Sequence, residues 1–289
     1  MGTLMRLLGV VSALVLPAAA QAGGVVDVLY AGSLVNMMEH SVGPAFNKST
    51  GNMFQGFAGG SKGLANEIKG KLRRGDVFLS ASPAVNKTLT GRANGDWVSW
   101  YVQFAASPLV IGYNPDGKHA KDLRTKPWYQ VLEDPGIRIG RTDPKLDPKG
   151  SLTLAMFRKA EAYYNQPDLM RRILGTPDNP AQVLPEETLV GRLQSGQVDV
   201  GFFYSTETAA AKIPAVALPA EITPAAHYTI TILRDAPNPS GAKQFVTFLL
   251  GPDGRGLMKQ SGLDLLPPKV VGDTQAVPTE IRPLLTAGK

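Results

Sequence analysis

Val25-Val26-Asp27-Val28-Leu29-Tyr30-Ala31-Gly32-Ser33-Leu34 decides the fold: an apolar run of strand character enters a glycine–serine turn, and an amphipathic stretch follows. Leu34, Met37, Met38 and Val42 recur at helical spacing until Pro44 interrupts them. The layout returns at Gly59-Gly60-Ser61-Lys62-Gly63, where Leu64, Ile68 and Leu72 mark the helix beyond. A strand feeding a helix through glycine and serine makes an anion cradle. The first helical turn carries unpaired N–H groups and the positive end of the dipole, glycine permits close approach, and serine adds a hydroxyl donor. Serine is also a common N-cap, so either turn alone is equally compatible with plain capping.

The pattern repeats downstream. Residues 76–80 read as a buried strand, Pro83 opens a helix, and residues 107–113 form a further strand. Residues 137–139 read as strand, 151–164 and 186–193 as helices, and 198–204 and 228–233 as strands. That order predicts an α/β protein of parallel sheets covered by helices. Open parallel sheets hold ligands beyond the carboxyl ends of their strands. Ser33 and Ser61 lie there, Asp147-Pro148-Lys149-Gly150-Ser151 and Pro185-Glu186-Glu187 each open a predicted helix, and Tyr204 ends a strand. Four helix N-termini and a phenol would surround one small charged ligand with neutral donors.

The front of the chain reads as an export signal over residues 1–22: Arg6 precedes an apolar stretch, Pro17 breaks it, and Ala20-Gln21-Ala22 offers a cleavage site before Gly23. The apolar stretch is too short to span a bilayer, which needs roughly 20 such residues. With no cysteine in the chain, disulfides, lipid attachment at a cysteine, thiolate metal sites and cysteine nucleophiles are excluded. His40, His119 and His227 stand far apart, which argues against an imidazole metal site. Roughly 265 mature residues predict two domains of ordinary size. The formal charge of +6 is scattered, and the one local cluster, Lys69-Gly70-Lys71-Leu72-Arg73-Arg74, reads as a solvated helix end rather than a nucleic-acid face.

Taken in order, Tyr30-Ala31-Gly32-Ser33-Leu34, Gly60-Ser61 and Gly75-Asp76-Val77-Phe78-Leu79-Ser80-Ala81-Ser82 resemble the periplasmic molybdate- and tungstate-binding proteins of ABC transporters, within the type II substrate-binding superfamily. Arg141-Thr142-Asp143-Pro144 with Pro148-Lys149-Gly150, the segment Gly196-Gln197-Val198-Asp199-Val200-Gly201-Phe202-Phe203-Tyr204, and Tyr228-Thr229-Ile230-Thr231-Ile232 with residues 242–250 extend the likeness over nearly the whole mature chain. The resemblance implies a two-lobed α/β binding protein: two open, mostly parallel sheets joined by two crossover strands, around residues 107–112 and 227–231. Lobe 1 would take residues 23–109 and 228–289, and lobe 2 residues 110–227. It further implies an oxyanion held by the hydroxyls of Ser33, Ser61 and Tyr204, with backbone donors near Lys149 and Glu187. The protein would be a soluble periplasmic monomer, neither an enzyme nor a lipoprotein nor membrane-inserted. It would have no cofactor, metal or nucleic acid of its own, and its partner would be an inner-membrane permease.

Two departures bear on the ligand. Asp147 stands where the tetrahedral-oxyanion proteins commonly have an apolar residue, and a carboxylate beside a dianion repels it unless protonated or turned away. A protonated ligand such as hydrogen phosphate needs such an acceptor, so Asp147 separates molybdate-like from phosphate-like readings. Archaeal tungstate-type relatives carry an acidic residue here and a glutamate just before the strand tyrosine. Phe203 occupies that second place, leaving Glu207, Glu186 or Glu187 to replace it. Molybdate or tungstate leads, with sulfate, phosphate or a small organic anion next, and ferric ion at Tyr163-Tyr164 weaker because that pair ends a helix. Gly59, Ser61 and Gly63 also match the spacing of a hydrolase elbow, for which His119 or His227 would have to serve as base without any supporting local signature.

Overall fold

The apolar run that opens the chain becomes β1 (Val25–Ala31), flanked in parallel by β2 (Met53–Gly59) and β3 (Val77–Ser80), in a computed structural model that describes residues 23–285. The proposed leader lies outside the described residues. β1 is buried along almost its whole length, which is why its sequence is apolar at every position except the half-buried Asp27 rather than alternating. β3 pairs antiparallel with β8 (Ala225–Ile232), and β8 pairs antiparallel with β4 (Trp100–Tyr113).

β4 joins the two halves of the molecule. Its residues 102–108 pair with β8 and residues 100–106 with β9 (Asp264–Gly272), whereas residues 109–113 pair with β6 (Val200–Tyr204) and residues 110–112 with β7 (Ala215–Ala217). β6 in turn runs parallel to β5 (Ile139–Gly140). Helices cover both regions, giving two α/β lobes with a cleft between them. Between the strands of the described residues, parallel pairing occurs at β1–β2, β1–β3 and β5–β6, and every strand pair involving β4 or β8 is antiparallel, so the sheets are more mixed than the alternation implied. The cause is topological: β4 and β8 carry the chain between lobes in opposite directions, and each imposes its direction on its neighbours.

Local departures also have physical reasons. Pro44 does not end its helix. A wide π turn over Met38–Val42 precedes it, closed by the Gly43 N–H on the Met38 carbonyl, and Pro44 falls in the first turn of Gly43–Thr50, where a missing N–H costs little. The helix expected over residues 151–164 starts earlier, as Pro148–Tyr163, with Pro148 in its first turn and Asp147 as cap. The helix expected over residues 186–193 opens instead as a 3-10 turn, Glu186–Thr188, before Leu189–Gln194. β9 carries Pro267 and Pro268, which hide it from a strand search yet are tolerated on an edge strand. The largest apolar cluster runs through both lobes, from Val28 and Phe46 to Phe157 and Phe202. No helix among the described residues is long and apolar enough to cross a membrane.

Candidate functional site

The first wall of the cleft is made of turns that follow β1 and β2. Gly32–Leu34 is a buried 3-10 turn, and Ser33 Oγ lies 3.0 Å from the hydroxyl of Tyr228, on β8. Ser61 opens the helix Ser61–Lys69 and is fully buried; its Oγ accepts the Ala81 N–H at 3.1 Å, a bond that does not consume the serine's own proton. Close approach explains the glycines beside these serines. A Cβ on Gly60 would stand 2.7 Å from the Leu146 carbonyl oxygen, and one on Gly32 would stand 2.9 Å from Glu186 Oε2.

The facing wall is charged. Asp147 caps the helix Pro148–Tyr163, its Oδ1 accepting the Lys149 N–H at 2.8 Å and the Thr142 hydroxyl at 2.9 Å, while the buried Oδ2 has no protein partner. Lys149 is fully buried, donating from Nζ to both oxygens of Glu207 at 2.8 and 2.9 Å and standing 3.4 Å from Glu186 Oε1. Its ammonium also lies 5.3 Å from the centre of the Tyr204 ring. Glu207 stands in the first turn of the helix Ser205–Ala210, where its Oε2 reaches back to accept the Tyr204 N–H at 2.8 Å. Glu186 reaches across the cleft, Oε2 accepting the Gly32 N–H at 2.8 Å, and its Oε1 lacks a hydrogen-bond partner. The Tyr204 hydroxyl is buried and likewise unpartnered.

Electrostatics tie these groups into one site. Burial holds the Glu186 carboxyl well above the ordinary glutamate range, and Asp147 and Glu207 push it further up against the opposing pull of Lys149. Burial would lower the Lys149 ammonium, yet Glu207, Glu186 and Asp147 together hold it above an ordinary lysine, so it stays charged. Burial also raises the phenols of Tyr204 and Tyr228, keeping both protonated and able to donate. The lobes meet around this cluster. Lys62 Nζ donates to the Pro144 carbonyl at 2.7 Å and to Ser151 Oγ at 2.6 Å, and the Gly63 N–H donates to the Leu146 carbonyl at 2.9 Å. Recesses of ≈ 510, 560 and 220 Å³ open outward from the junction.

Ser33, Ser61, Asp147, Lys149 and Tyr204 therefore lie along one cleft, but one of the expected roles shifts. Lys149 brings its side chain, because its N–H is occupied by Asp147. The main chain of Glu187 stands at the first wall, its nitrogen 3.1 Å from where a Cβ on Gly32 would lie, while its side chain is exposed; of the carboxylates left open by the sequence, Glu186 turns inward, since the 3-10 turn directs the first residue after Pro185 toward Gly32. Glu207 was one of the three carboxylates that the sequence left open, three residues beyond Tyr204; Tyr228 carried no signal beyond its place at the return strand. No imidazole hydrogen-bonds either serine among the described residues: His227 Nδ1 pairs with Gln103, and His119 Nδ1 faces Asp134 at 3.9 Å. A hydrolase triad is thus not assembled. Tyr164 accepts the Trp128 indole N–H inside an aromatic cluster with Tyr163, and no group of three or more metal-ligating side chains occurs among the described residues.

Comparison with known proteins places this geometry. The family described as "Bacterial extracellular solute-binding protein" matches residues 26–264. A solute-binding protein of Petrotoga mobilis is 27% identical over 264 residues, 80% of each chain. The molybdate/tungstate-binding protein WtpA of Thermococcus kodakarensis is 25% identical over 280 residues, covering 80% of this chain and 77% of its own. The periplasmic molybdate-binding protein of Azotobacter vinelandii shares the fold, with a TM-score of 0.62 at 19% identity over 83% of this chain and 99% of its own. With most of its length inside that family's bounds and a two-lobed cleft to match, the chain belongs to the bacterial extracellular solute-binding proteins, which bind solutes for transport and are not enzymes.

Proposed function

We propose that this protein captures a small oxyanion, molybdate or tungstate, in the periplasm and hands it to the permease of an inner-membrane ABC transporter. The observation that carries this reading is the placement of Ser33, Ser61 and Tyr204 hydroxyls along one buried cleft between two lobes, Tyr204 with no partner of its own. Hydrogen bonds to a charged acceptor contribute about 1.5–3 kcal/mol each, so several of them offset the dehydration of a small anion. The relatives named for molybdate and tungstate, similar over four-fifths of this chain, support the same ligand class. Export through the leader, release as a soluble monomer and closure of the lobes about β4 and β8 complete the cycle.

A second reading is favoured by one observation: the unpartnered Asp147 Oδ2 offers an acceptor to a ligand that brings its own hydroxyl, such as hydrogen phosphate. A thermal-shift panel of molybdate, tungstate, sulfate and phosphate separates the two, because a ligand that binds only the folded state raises the unfolding midpoint by mass action. Molybdate and tungstate are expected to raise it. A shift with phosphate alone installs the second reading, and no shift with any of them removes the oxyanion reading.

A further inference from the structure

The cleft carries more negative charge than its one lysine neutralises. Lys149 donates to both carboxylate oxygens of Glu207 and also stands 3.4 Å from Glu186 Oε1, so a single ammonium faces more than one carboxylate. Asp147 and Glu186 remain, 2% and 4% exposed, with Oδ2 and Oε1 both lacking hydrogen-bond partners. Their carboxyls stand close enough to share a hydrogen bond when one of them holds a proton. A doubly charged anion entering beside these two buried carboxylates meets like charge in a site where such repulsion is least screened. The hydroxyls of the opposite wall donate hydrogen bonds to the anion but bring no positive charge.

We propose that Glu186 is a specificity-determining residue of this cleft and that the anion enters with one proton, taken from solvent by the Asp147–Glu186 pair, whose protonated carboxyl then donates to a ligand oxygen. This rests on the reading of the ligand as an oxyanion. Glu186 is the seat for the proton: it is buried, accepts a single hydrogen bond, from the Gly32 N–H, and its Oε1 has no hydrogen-bond partner with which to donate or accept. The groups facing Glu186 are Asp147 and Lys149 at the start of one helix, Glu207 on another, and the phenols of Tyr204 and Tyr228. At the mouths, Glu187 and His40 are exposed on one side, and Glu67, Arg73 and Asp143 are half-buried on the other. None of these outer groups hydrogen-bonds to the pair among the described residues.

The linkage has a definite sign. Binding raises the proton affinity of the pair, so affinity falls as pH rises through the range in which the complex holds the proton and the free cleft has lost it, by up to about tenfold per pH unit. The test is titration calorimetry of the wild-type protein with sodium tungstate, which carries no proton near neutrality, in two buffers of different ionisation enthalpy between about pH 6 and 9. Uptake of about one proton per anion is expected at the alkaline end. Glu186→Gln offers a permanent N–H donor, so its uptake should vanish, and its affinity should stay flat with pH and exceed that of the wild type at the alkaline end. Asp147→Asn is the second variant and should likewise abolish uptake. Tungstate binding without proton uptake in the wild type overturns the inference and leaves the proposed function standing, as does uptake that survives in both variants. No heat with tungstate or molybdate at any pH overturns the proposed function, and the inference falls with it.

Discussion

The two walls of the cleft are built on opposite plans. One, formed by Ser33, Ser61 and Tyr228, is neutral, and its hydroxyls bond to one another or to backbone within the first lobe. The other, formed by Asp147, Lys149, Glu186 and Glu207, is a buried knot of charges assembled from three separate stretches of chain. Tyr204, at the end of β6, belongs to the second wall by position and to the first by chemistry. The contrast teaches that shape and charge are handled separately: hydroxyls set the positions of ligand oxygens, while the facing wall sets how much negative charge the closed cleft tolerates.

The contrast breaks most visibly at Lys149. Lys149→Met strands three buried carboxylates without a cation, and removing one partner of a buried ion pair costs about 3–5 kcal/mol. For a chain of this size we expect the unfolding midpoint in a thermal melt to drop by about 10 °C. An unchanged midpoint would show that the second wall does not depend on its charge balance. The next effect is smaller and falls on binding alone. Tyr204→Phe removes a hydroxyl that has no protein partner, so the melt should not change, while affinity for tungstate should fall about 10- to 100-fold. A variant that melts lower without losing affinity would mean that the phenol serves the fold instead.

Ser33→Ala mixes the two outcomes. It takes the partner from Tyr228, which is expected to cost about 1 kcal/mol in denaturant unfolding, and it should weaken tungstate binding by about tenfold in calorimetry. If stability drops and affinity holds, the neutral wall is a capping device rather than a recognition surface.

The walls also differed in how far the sequence revealed them. Ser33 and Ser61 announce themselves because strand, glycine, serine and helix are contiguous, and local geometry follows from local order. Asp147 and Lys149 are legible as a helix start for the same reason. The knot itself was not. Lys149 meets Glu207 from 58 residues away and Gly32 meets Glu186 from 154, and no periodicity encodes contacts of that range. The antiparallel pairing of β4 escaped likewise: residues 107–113 read as strand, but the preceding part of β4 carries Gln103 and pairs irregularly near residues 103–105, and its partner β9 contains two prolines. Which of the two adjacent carboxylates after Pro185 turns inward was left open by the sequence, because it depends on whether that segment winds as an α-helix or a 3-10 turn, a difference of one residue in which side chain faces the first lobe.

That one-residue difference supplies the finest test of the comparison. Glu186 and Glu187 carry the same charge next to each other, one buried against Gly32 and the other exposed. Solvent screens an exposed charge over about a Debye length of 8–10 Å, whereas a buried carboxylate acts on the ligand at nearly full strength. Glu187→Ala is therefore expected to change tungstate affinity by less than about twofold, leave its pH dependence in place, and alter stability by no more than about 0.5 kcal/mol. The substitution keeps the backbone N–H of residue 187, so any donor that main chain lends to the cleft is preserved. If Glu187→Ala nevertheless flattens the pH profile as Glu186→Gln is expected to do, the second wall acts through its overall negative field, and the orientation of the 3-10 turn ceases to matter.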